Sequence, residues 1–262
     1  MRFFLEICFR GTRYKGWQVQ VGARTVQAEV DRALSVVFHT DIRCAGCGRT
    51  DTGVHARQFF VHFDAPSPPS DDLLYKLNRI LPEDIAAKRF IQVHPRARAR
   101  QDAVHRTYTY FVHFRKDPFL TDASYYFPYQ TPDIAKMHAA ASLLRGYQDF
   151  RPLSVREPKD KYTRCTIFRS QWKVINDYRM SYTVTADHFL RGMVRRTVGA
   201  MLLIGTGKLT LDEFDAVMTA TGRFRYIPAA PGCGLWLVSV KYPYIRDESA
   251  PITLDDSFLP CE

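Results

Sequence analysis

The stretch "GCGRTDTGVHA", residues 46–56, joins two short apolar runs, "IRCAGC" (42–47) and "RQFFVHFD" (57–64). Branched and aromatic residues in such runs are typical of β-strands, and the glycines between them favour a tight turn. We therefore predict a strand, a turn and a strand here. The turn contains one acid, Asp51, and within ten residues on either side the only other carboxylate is Asp41.

The patterns on both sides of this turn predict a first α+β half. "RFFLEICF" (2–9) and "AAKRFIQV" (86–93) are typical of strands. Apolar residues at helical spacing after Thr25 predict one helix, and "LLYKLNRIL" (73–81), started by Ser70 or Asp71, predicts another. Strand, helix, strand, strand, helix, strand is the order of a ferredoxin-like unit.

The remaining chain predicts a second half of the same kind, with longer elements. The fold class is therefore α+β: two ferredoxin-like halves, residues 1–102 and 103–245, whose antiparallel sheets could join edge to edge, followed by an irregular tail, 246–262. The second half contains strand 106–114, helix 133–146, a hairpin over 166–187 that turns near Asn176, helices 188–205 and 211–220, and strand 235–242.

The chain is strongly basic, with 37 Lys and Arg against 27 Asp and Glu, a net charge of +10 over 262 residues. Such an excess favours a polyanionic partner, RNA or DNA, because cations neutralise phosphates. The alternative is a surface charge that serves solubility alone.

The cysteines and the apolar runs indicate a reduced, cytoplasmic protein. Six cysteines in 262 residues are too few for a disulfide scaffold. Glu6 and Arg10 interrupt the apolar start, so we expect no signal peptide, and no run reaches the length of a membrane span. Cys44-x-x-Cys47 could bind zinc, but a second pair of ligands is missing, so we expect two small buried thiols and no metal.

Asp51 itself has two interpretations. Beside glycines, an aspartate is often a turn residue that bonds its own backbone. Alternatively it is a nucleophile or base, which must be reachable and ionised, and an enclosed carboxylate stays ionised only with a cation or several donors nearby. A dinucleotide-binding fingerprint is excluded because Asp51 replaces its third glycine. A metal-dependent nuclease using Asp51, His55 and Asp64 lacks a suitable carboxylate cluster.

The predicted helix 188–205 offers a cation. At helical spacing His188, Arg191 and Arg195 share one stripe, while Gly199 permits close approach of another segment. The alternative is a solvated basic face. Because the rest of the helix is apolar, we expect one of its arginines to be partly buried and to need a carboxylate.

Two further patterns suggest RNA. In "RTYTY" the side chains of Arg106, Tyr108 and Tyr110 fall on one face of a strand, a possible platform for stacking unpaired bases, unless the tyrosines are core residues. Upstream, "PRARARQ" places three arginines on one side of an extended segment, a possible ladder for a phosphate backbone. These are Arg96, Arg98 and Arg100.

Together these motifs resemble one family. "GRTDTGVHA" resembles the signature of the tRNA pseudouridine synthase A family, in which the aspartate of G-R-T-D is catalytic. The resemblance extends from about Arg2 to Tyr244. It includes, in the order that is typical of the family, "YKGWQVQ", "TVQAEVDRAL", "NRILPEDI", "RTYTY", "FLRGMVRRTVG" and "APGCGLWLVSVKY".

The resemblance implies a role for five residues. It makes Asp51 the catalytic aspartate and Arg49 the arginine that enters the RNA when the target base leaves. Tyr108 matches a tyrosine that packs against the uracil, Arg195 an arginine that pairs with the catalytic aspartate, and Leu235 an apolar residue that lines the pocket.

The resemblance also implies a pseudouridine synthase fold with one central sheet and the active-site cleft between its halves. It implies tRNA as substrate, with uridines 38 to 40 of the anticodon stem-loop as targets, a homodimer, and catalysis without cofactor or metal. The sequence departs from the family pattern at Thr52, which replaces alanine, and in "HARQFF", which is one residue short. The alternative is an RNA-binding paralogue with the same fold that acts on another RNA or has no turnover.

Overall fold

The computed structural model describes residues 1–155, 163–219 and 226–245. The described chain is mixed α/β, with mostly antiparallel strand pairs. It divides into two compact units. The first comprises residues 1–104 together with the strand that continues from Trp236, and the second comprises the residues from His105 to Leu235.

The first unit is built around β1, which pairs antiparallel with β4 on one side and β3 on the other, while β2 pairs antiparallel with β3. Phe4, Leu5 and Ile7 of β1 are fully buried, as expected for a central strand. The elements are β1 (Arg2–Phe9), α1 (Val26–Phe38), β2 (Ala45–Gly46), β3 (His55–Asp64), α2 (Leu73–Ile80) and β4 (Ile85–Gln92).

The last strand, β9 (Leu235–Lys241), completes the first unit from a distant part of the chain. It pairs in parallel with β3, with Trp236 opposite His55. The backbone N–H of Val240 donates to Oε1 of Gln58 at 2.9 Å. Because these bonds satisfy buried polar groups, β9 is an integral part of this unit.

The second unit contains a hairpin of β7 and β8, and β8 also pairs antiparallel with β5. The turn of the hairpin lies between Asn176 and Arg179, which confirms the predicted position. The described elements are β5 (His105–His113), β6 (Tyr125–Tyr126), α3 (Ile134–Leu143), β7 (Ile167–Asn176), β8 (Arg179–Ala186), α4 (Met193–Gly205) and α5 (Leu211–Met218).

Several element boundaries differ from the sequence prediction. Helix α4 begins at Met193, not at residue 188, because Gly192 has a left-handed backbone with φ 70°. The strand predicted over 42–47 is reduced to Ala45–Gly46. Helix α2 begins at Leu73 as predicted, but its N-cap residue is Asp72 and not Ser70 or Asp71.

The tail predicted over 246–262 lies outside the described residues. The domain limits 1–102 and 103–245 and the edge-to-edge joining of two sheets stay predictions. Within the described part of the chain, helices are too short or too polar to span a membrane.

Candidate active site

Asp51 lies in the turn between β2 and β3, where the protein backbone holds it from two directions. Its carbonyl accepts the N–H of Val54 at 3.2 Å, and the preceding Thr50 carbonyl accepts the N–H of Trp17 at 3.1 Å. Asp51 is half-buried and Arg49 is exposed. The turn is therefore fixed at its backbone, while Asp51 itself is not fully buried.

Two glycines from the N-terminal segment support this turn, a role that their sequence motifs did not predict. Gly16 has φ +89°, and a Cβ there would lie 2.3 Å from the Thr50 carbonyl oxygen. At Gly11 a Cβ would lie 1.9 Å from the carbonyl oxygen of Val54. Only glycine permits such backbone contact. The "YKGWQVQ" segment was the available signal, because Gly16 belongs to it.

His55 is a structural residue of this turn. Its Nδ1 accepts the backbone N–H of Gly11 at 3.1 Å, and its ring stacks on Trp236 with 4.2 Å between centroids. The nuclease alternative required Asp64 beside it, but nine residues of extended strand separate the two by about 30 Å. Among the residues that the structure describes, no three His, Cys, Asp or Glu side chains are grouped as metal ligands would be.

Cys44 and Cys47 are both buried, as the preferred interpretation of this pair requires. Burial and the neighbouring Asp31 carboxylate raise the pKa of the Cys44 thiol well above its usual value. A thiol in this state is a small packing residue with low reactivity.

Arg49 lines a cavity of about 480 Å³ in the first unit. Arg98 and Arg100 line the same cavity, whereas Arg96 is exposed elsewhere. The segment is a series of turns and not the predicted extended ladder, because hydrogen-bonded turns close at Ala97 and Asp102. The three predicted arginines are therefore not equivalent.

His62 also lines this cavity, and it links protein stability to pH. Burial, and then the Arg2 guanidinium, lower the pKa of His62 below its usual value. Its Nδ1 accepts the N–H of Ala99 at 3.2 Å, which requires an unprotonated nitrogen. The stabilising contribution of neutral His62 is therefore complete above the unfolded pKa, about 6.5, and is lost as the pH falls through the folded pKa.

We expect His62→Asn to reduce the fall in free energy of unfolding between about pH 7.5 and pH 5, since the amide oxygen still accepts the Ala99 N–H but does not titrate. Urea denaturation at several pH values measures this. His39→Asn is the control, because His39 is exposed and its left-handed φ of 52° suits asparagine. An unchanged pH dependence in His62→Asn, relative to the control, would contradict the assignment.

In the second unit, the predicted stacking platform is wrong for Tyr110. This side chain is fully buried, and its hydroxyl donates to the Pro231 carbonyl at 2.7 Å. Arg106 is also buried and donates to the Asp187 carbonyl at 2.7 Å. Tyr108 is 9% exposed and contacts Phe189 edge to face. All three side chains are therefore buried in this structure.

Arg195 is half-buried in the first turns of α4 and binds a backbone loop of the same unit. Its Nε donates to the Ala230 carbonyl at 2.6 Å, and the Ala230 N–H returns a bond to the Arg195 carbonyl at 2.9 Å. A Cβ on Gly199 would lie 2.0 Å from the Pro228 carbonyl oxygen, which confirms the predicted close approach. This pairing fixes the Arg195 stem.

The stripe predicted for this helix is wrong at its N-terminal end. His188 and Arg191 precede the first residue of α4, so they do not share a helical face with Arg195. The Nδ1 of His188 lies 3.1 Å from the Asp187 carboxylate.

Leu235 is buried at the start of β9, directly after Gly234. A Cβ on Gly234 would lie 2.6 Å from the Tyr110 ring, so this glycine permits the loop to lie against β5. The loop from Ala230 to Leu235 thus contacts both Arg195 and Tyr110. The predicted site residues fall into two groups: Asp51 and Arg49 in the first unit, and Tyr108, Arg195 and Leu235 in the second.

Comparison with known proteins decides the family. A model of tRNA pseudouridine synthases matches residues 140–243. A tRNA pseudouridine synthase A of Parabacteroides distasonis is 40% identical over 244 residues, which cover 92% of this chain and 96% of the relative. The chain belongs to the tRNA pseudouridine synthase A family. It is accordingly an isomerase.

Other members of the tRNA pseudouridine synthase A family agree with this assignment. The synthase of Bacteroides fragilis is 38% identical over 92% of this chain and 96% of its own length. That of Bacillus subtilis is 36% identical over 92% of this chain and 99% of its own length. The resemblance that the motifs indicated is confirmed, while the roles of the individual site residues stay predictions.

Proposed function

We propose that this enzyme isomerises uridine to pseudouridine at positions 38 to 40 of the anticodon stem-loop of tRNA, with Asp51 as its catalytic carboxylate. The observation that carries the proposal is the Asp51 turn: one half-buried acid, fixed by backbone bonds and by Gly16, two residues after an arginine that lines a cavity. Relatives named tRNA pseudouridine synthase A indicate the substrate class, and the motif resemblance indicates the positions.

The reaction needs one carboxylate and no carrier of electrons or groups. The N1–C1′ bond of uridine breaks, the free uracil rotates, and C5 joins C1′. The proton on C5 is released and N1 gains one, so atoms and charge balance. An ionised Asp51 either adds to the base or accepts a proton during detachment. Both routes release the C5 proton.

The target uridine must leave the base stack before Asp51 can reach it, which costs a few kcal/mol. We assign Arg49 to occupy the space that the base leaves, because its side chain is exposed and lies two residues before Asp51. Tyr108 would pack against the uracil and Leu235 would line its pocket. Arg195 would supply the cation that keeps Asp51 ionised.

The finer architecture belongs to the same proposal. Two ferredoxin-like halves, a cleft between them, a homodimer and a cytoplasmic location all follow from the resemblance and from composition. Sedimentation equilibrium of the purified enzyme would test the dimer.

The function is tested with a tRNA transcript that carries tritium at C5 of every uridine. We expect the purified enzyme to release tritium into water in proportion to the uridines at positions 38 to 40. The control transcript has cytidine at these positions and compensating changes in the stem. Release of tritium from the control would mean that the target uridine lies elsewhere in the tRNA. Binding of both transcripts without release would instead indicate an RNA-binding paralogue.

A further inference from the structure

The cavity beside Arg49, here called the arginine cavity, has a composition that the catalytic assignment does not use. Its volume is about 480 Å³, within the roughly 300–1,000 Å³ range of small-molecule sites. Four arginines line it, together with polar side chains such as Gln18 and Gln101. The arginines are Arg2, Arg49, Arg98 and Arg100.

The positive charge of the arginine cavity is only partly compensated by protein carboxylates. Arg2 is neutralised by Asp64 through two bonds of 3.0 and 2.7 Å. Within residues 1–155, 163–219 and 226–245, neither the Arg49 nor the Arg98 guanidinium has a hydrogen bond or ion pair. A concave site with uncompensated guanidinium groups attracts an anion.

The segment that carries Arg98 and Arg100 is held in place by its backbone. Ala97 and Ala99 are buried on either side of Arg98, which directs the arginines outward. The Ala99 carbonyl accepts the hydroxyl of Tyr242 at 2.6 Å. Its N–H donates to His62. The backbone N–H of Arg98 donates to Asp102 at 2.9 Å. The backbone positions of the two arginines are thus pre-organised, which lowers the entropy cost of binding.

We propose that the arginine cavity binds a backbone phosphate of the tRNA strand beside the target uridine, an inference that rests on the proposed function. A strand that delivers its uridine to Asp51 passes Arg49, because two residues span at most about 7 Å of chain. A guanidinium matches the oxygens of a phosphodiester in a bidentate manner. The phosphate would fix the register of the strand, so that one uridine faces Asp51.

The test compares arginines of one segment. Arg98→Gln removes a charge from the lining of the arginine cavity. Arg96→Gln removes the same charge from an exposed position outside that lining. We expect Arg98→Gln to weaken tRNA binding roughly tenfold and to reduce the slope of log affinity against log salt by about one. Arg96→Gln should bind within about twofold of wild type, since diffuse charge contributes little at physiological salt. Filter binding across a salt series measures both quantities.

Two further variants serve as a substitute for Arg98→Gln and as a charge-conserving comparison. Arg100→Gln serves as a second cavity variant if Arg98→Gln does not fold, and Arg98→Lys should retain the salt slope with only part of the affinity. Equal affinities and slopes for the cavity variants and Arg96→Gln would overturn the proposal. So would thermal protection of the wild type by inorganic phosphate together with unchanged tRNA binding in Arg98→Gln, because the site would then hold a free anion.

Failure of the inference can be distinguished from failure of the proposed function. Tritium release by the wild-type enzyme tests the function and does not depend on Arg98. If the wild type releases tritium while Arg98→Gln binds tRNA as Arg96→Gln does, only the phosphate site is wrong. If the wild type binds tRNA with the expected salt slopes but releases no tritium, the proposed reaction is wrong.

Discussion

Replacing Asp51 with asparagine is expected to abolish pseudouridine formation, with a fall in single-turnover rate on the order of 10³-fold or more. The amide retains the shape of the side chain but can neither add to the base nor accept a proton. The nearest acid in sequence cannot substitute, because Asp41 is exposed and pairs with Arg43 at 3.3 Å. Binding of tRNA should stay within a few-fold of wild type, since the variant removes one negative charge and no cation.

The measurement is tritium release by purified protein with enzyme in excess over labelled tRNA. Asp41→Asn is the matched control, because it makes the same change of charge on the other acid near the turn and should retain full activity. Turnover by Asp51→Asn above the level of a mock purification would remove Asp51 from the mechanism. An equal loss in both variants would indicate a general effect of charge.

The second large effect is expected at Gly16, which does not touch the substrate in this proposal. Alanine there would bring a Cβ to 2.3 Å from the Thr50 carbonyl oxygen, at φ +89°. The backbone next to Asp51 must then move, and a displacement of about 1 Å in a catalytic group costs on the order of 10²-fold in rate. We also expect a loss of roughly 2–4 kcal/mol in the free energy of unfolding, from overpacking and strain combined.

Gly22→Ala separates the effect of overpacking from the effect of backbone strain. Gly22 has φ +71°, similar to Gly16, but a Cβ there meets nothing within 4 Å. Its cost should be confined to the left-handed conformation, about 1–2 kcal/mol, with the rate unchanged. Denaturation and single-turnover assays of both variants make the comparison. If Gly16→Ala behaves like Gly22→Ala in both assays, the contact with Thr50 does not position Asp51.

Most elements of the fold could be predicted from the sequence, because periodicity is a local property. The apolar pattern of β1 and the turn of the β7–β8 hairpin both agree with the structure. The start of α4 was misplaced because the helical apolar spacing continues through residues that Gly192 keeps out of the helix. One left-handed residue can interrupt a helix without changing the hydrophobic pattern of the sequence.

What lies on each face of an element could not be predicted in the same way. Alternation places Arg106, Tyr108 and Tyr110 on one side of a strand, but it does not tell whether that side is covered. The partner of the Tyr110 hydroxyl, Pro231, lies 121 residues away. The contact of Gly16 with Thr50 likewise joins distant segments. Such contacts depend on tertiary packing. A motif resemblance can therefore identify these residues without explaining why the fold requires them.

The same limit applies to the candidate site. The residues themselves could be found by resemblance, and the structure gives local reasons for the rigidity of the Asp51 turn and of the Arg195 stem. Arg98 and Arg100 line the cavity and Arg96 does not, a difference that only the structure shows. Their spacing of two residues does not contain that information.

The position of β9 has a consequence for how the protein is made. Strand β3 is synthesised early, but its parallel partner at Trp236 follows about 170 residues later, which at cellular rates of translation takes roughly 10–30 s. During that interval the nascent first unit lacks the bond from Val240 to Gln58 and exposes a strand edge that can pair with another chain. A ribosome that stalls before this strand would therefore release an aggregation-prone fragment. This holds even though all residues of the Asp51 turn have by then been synthesised.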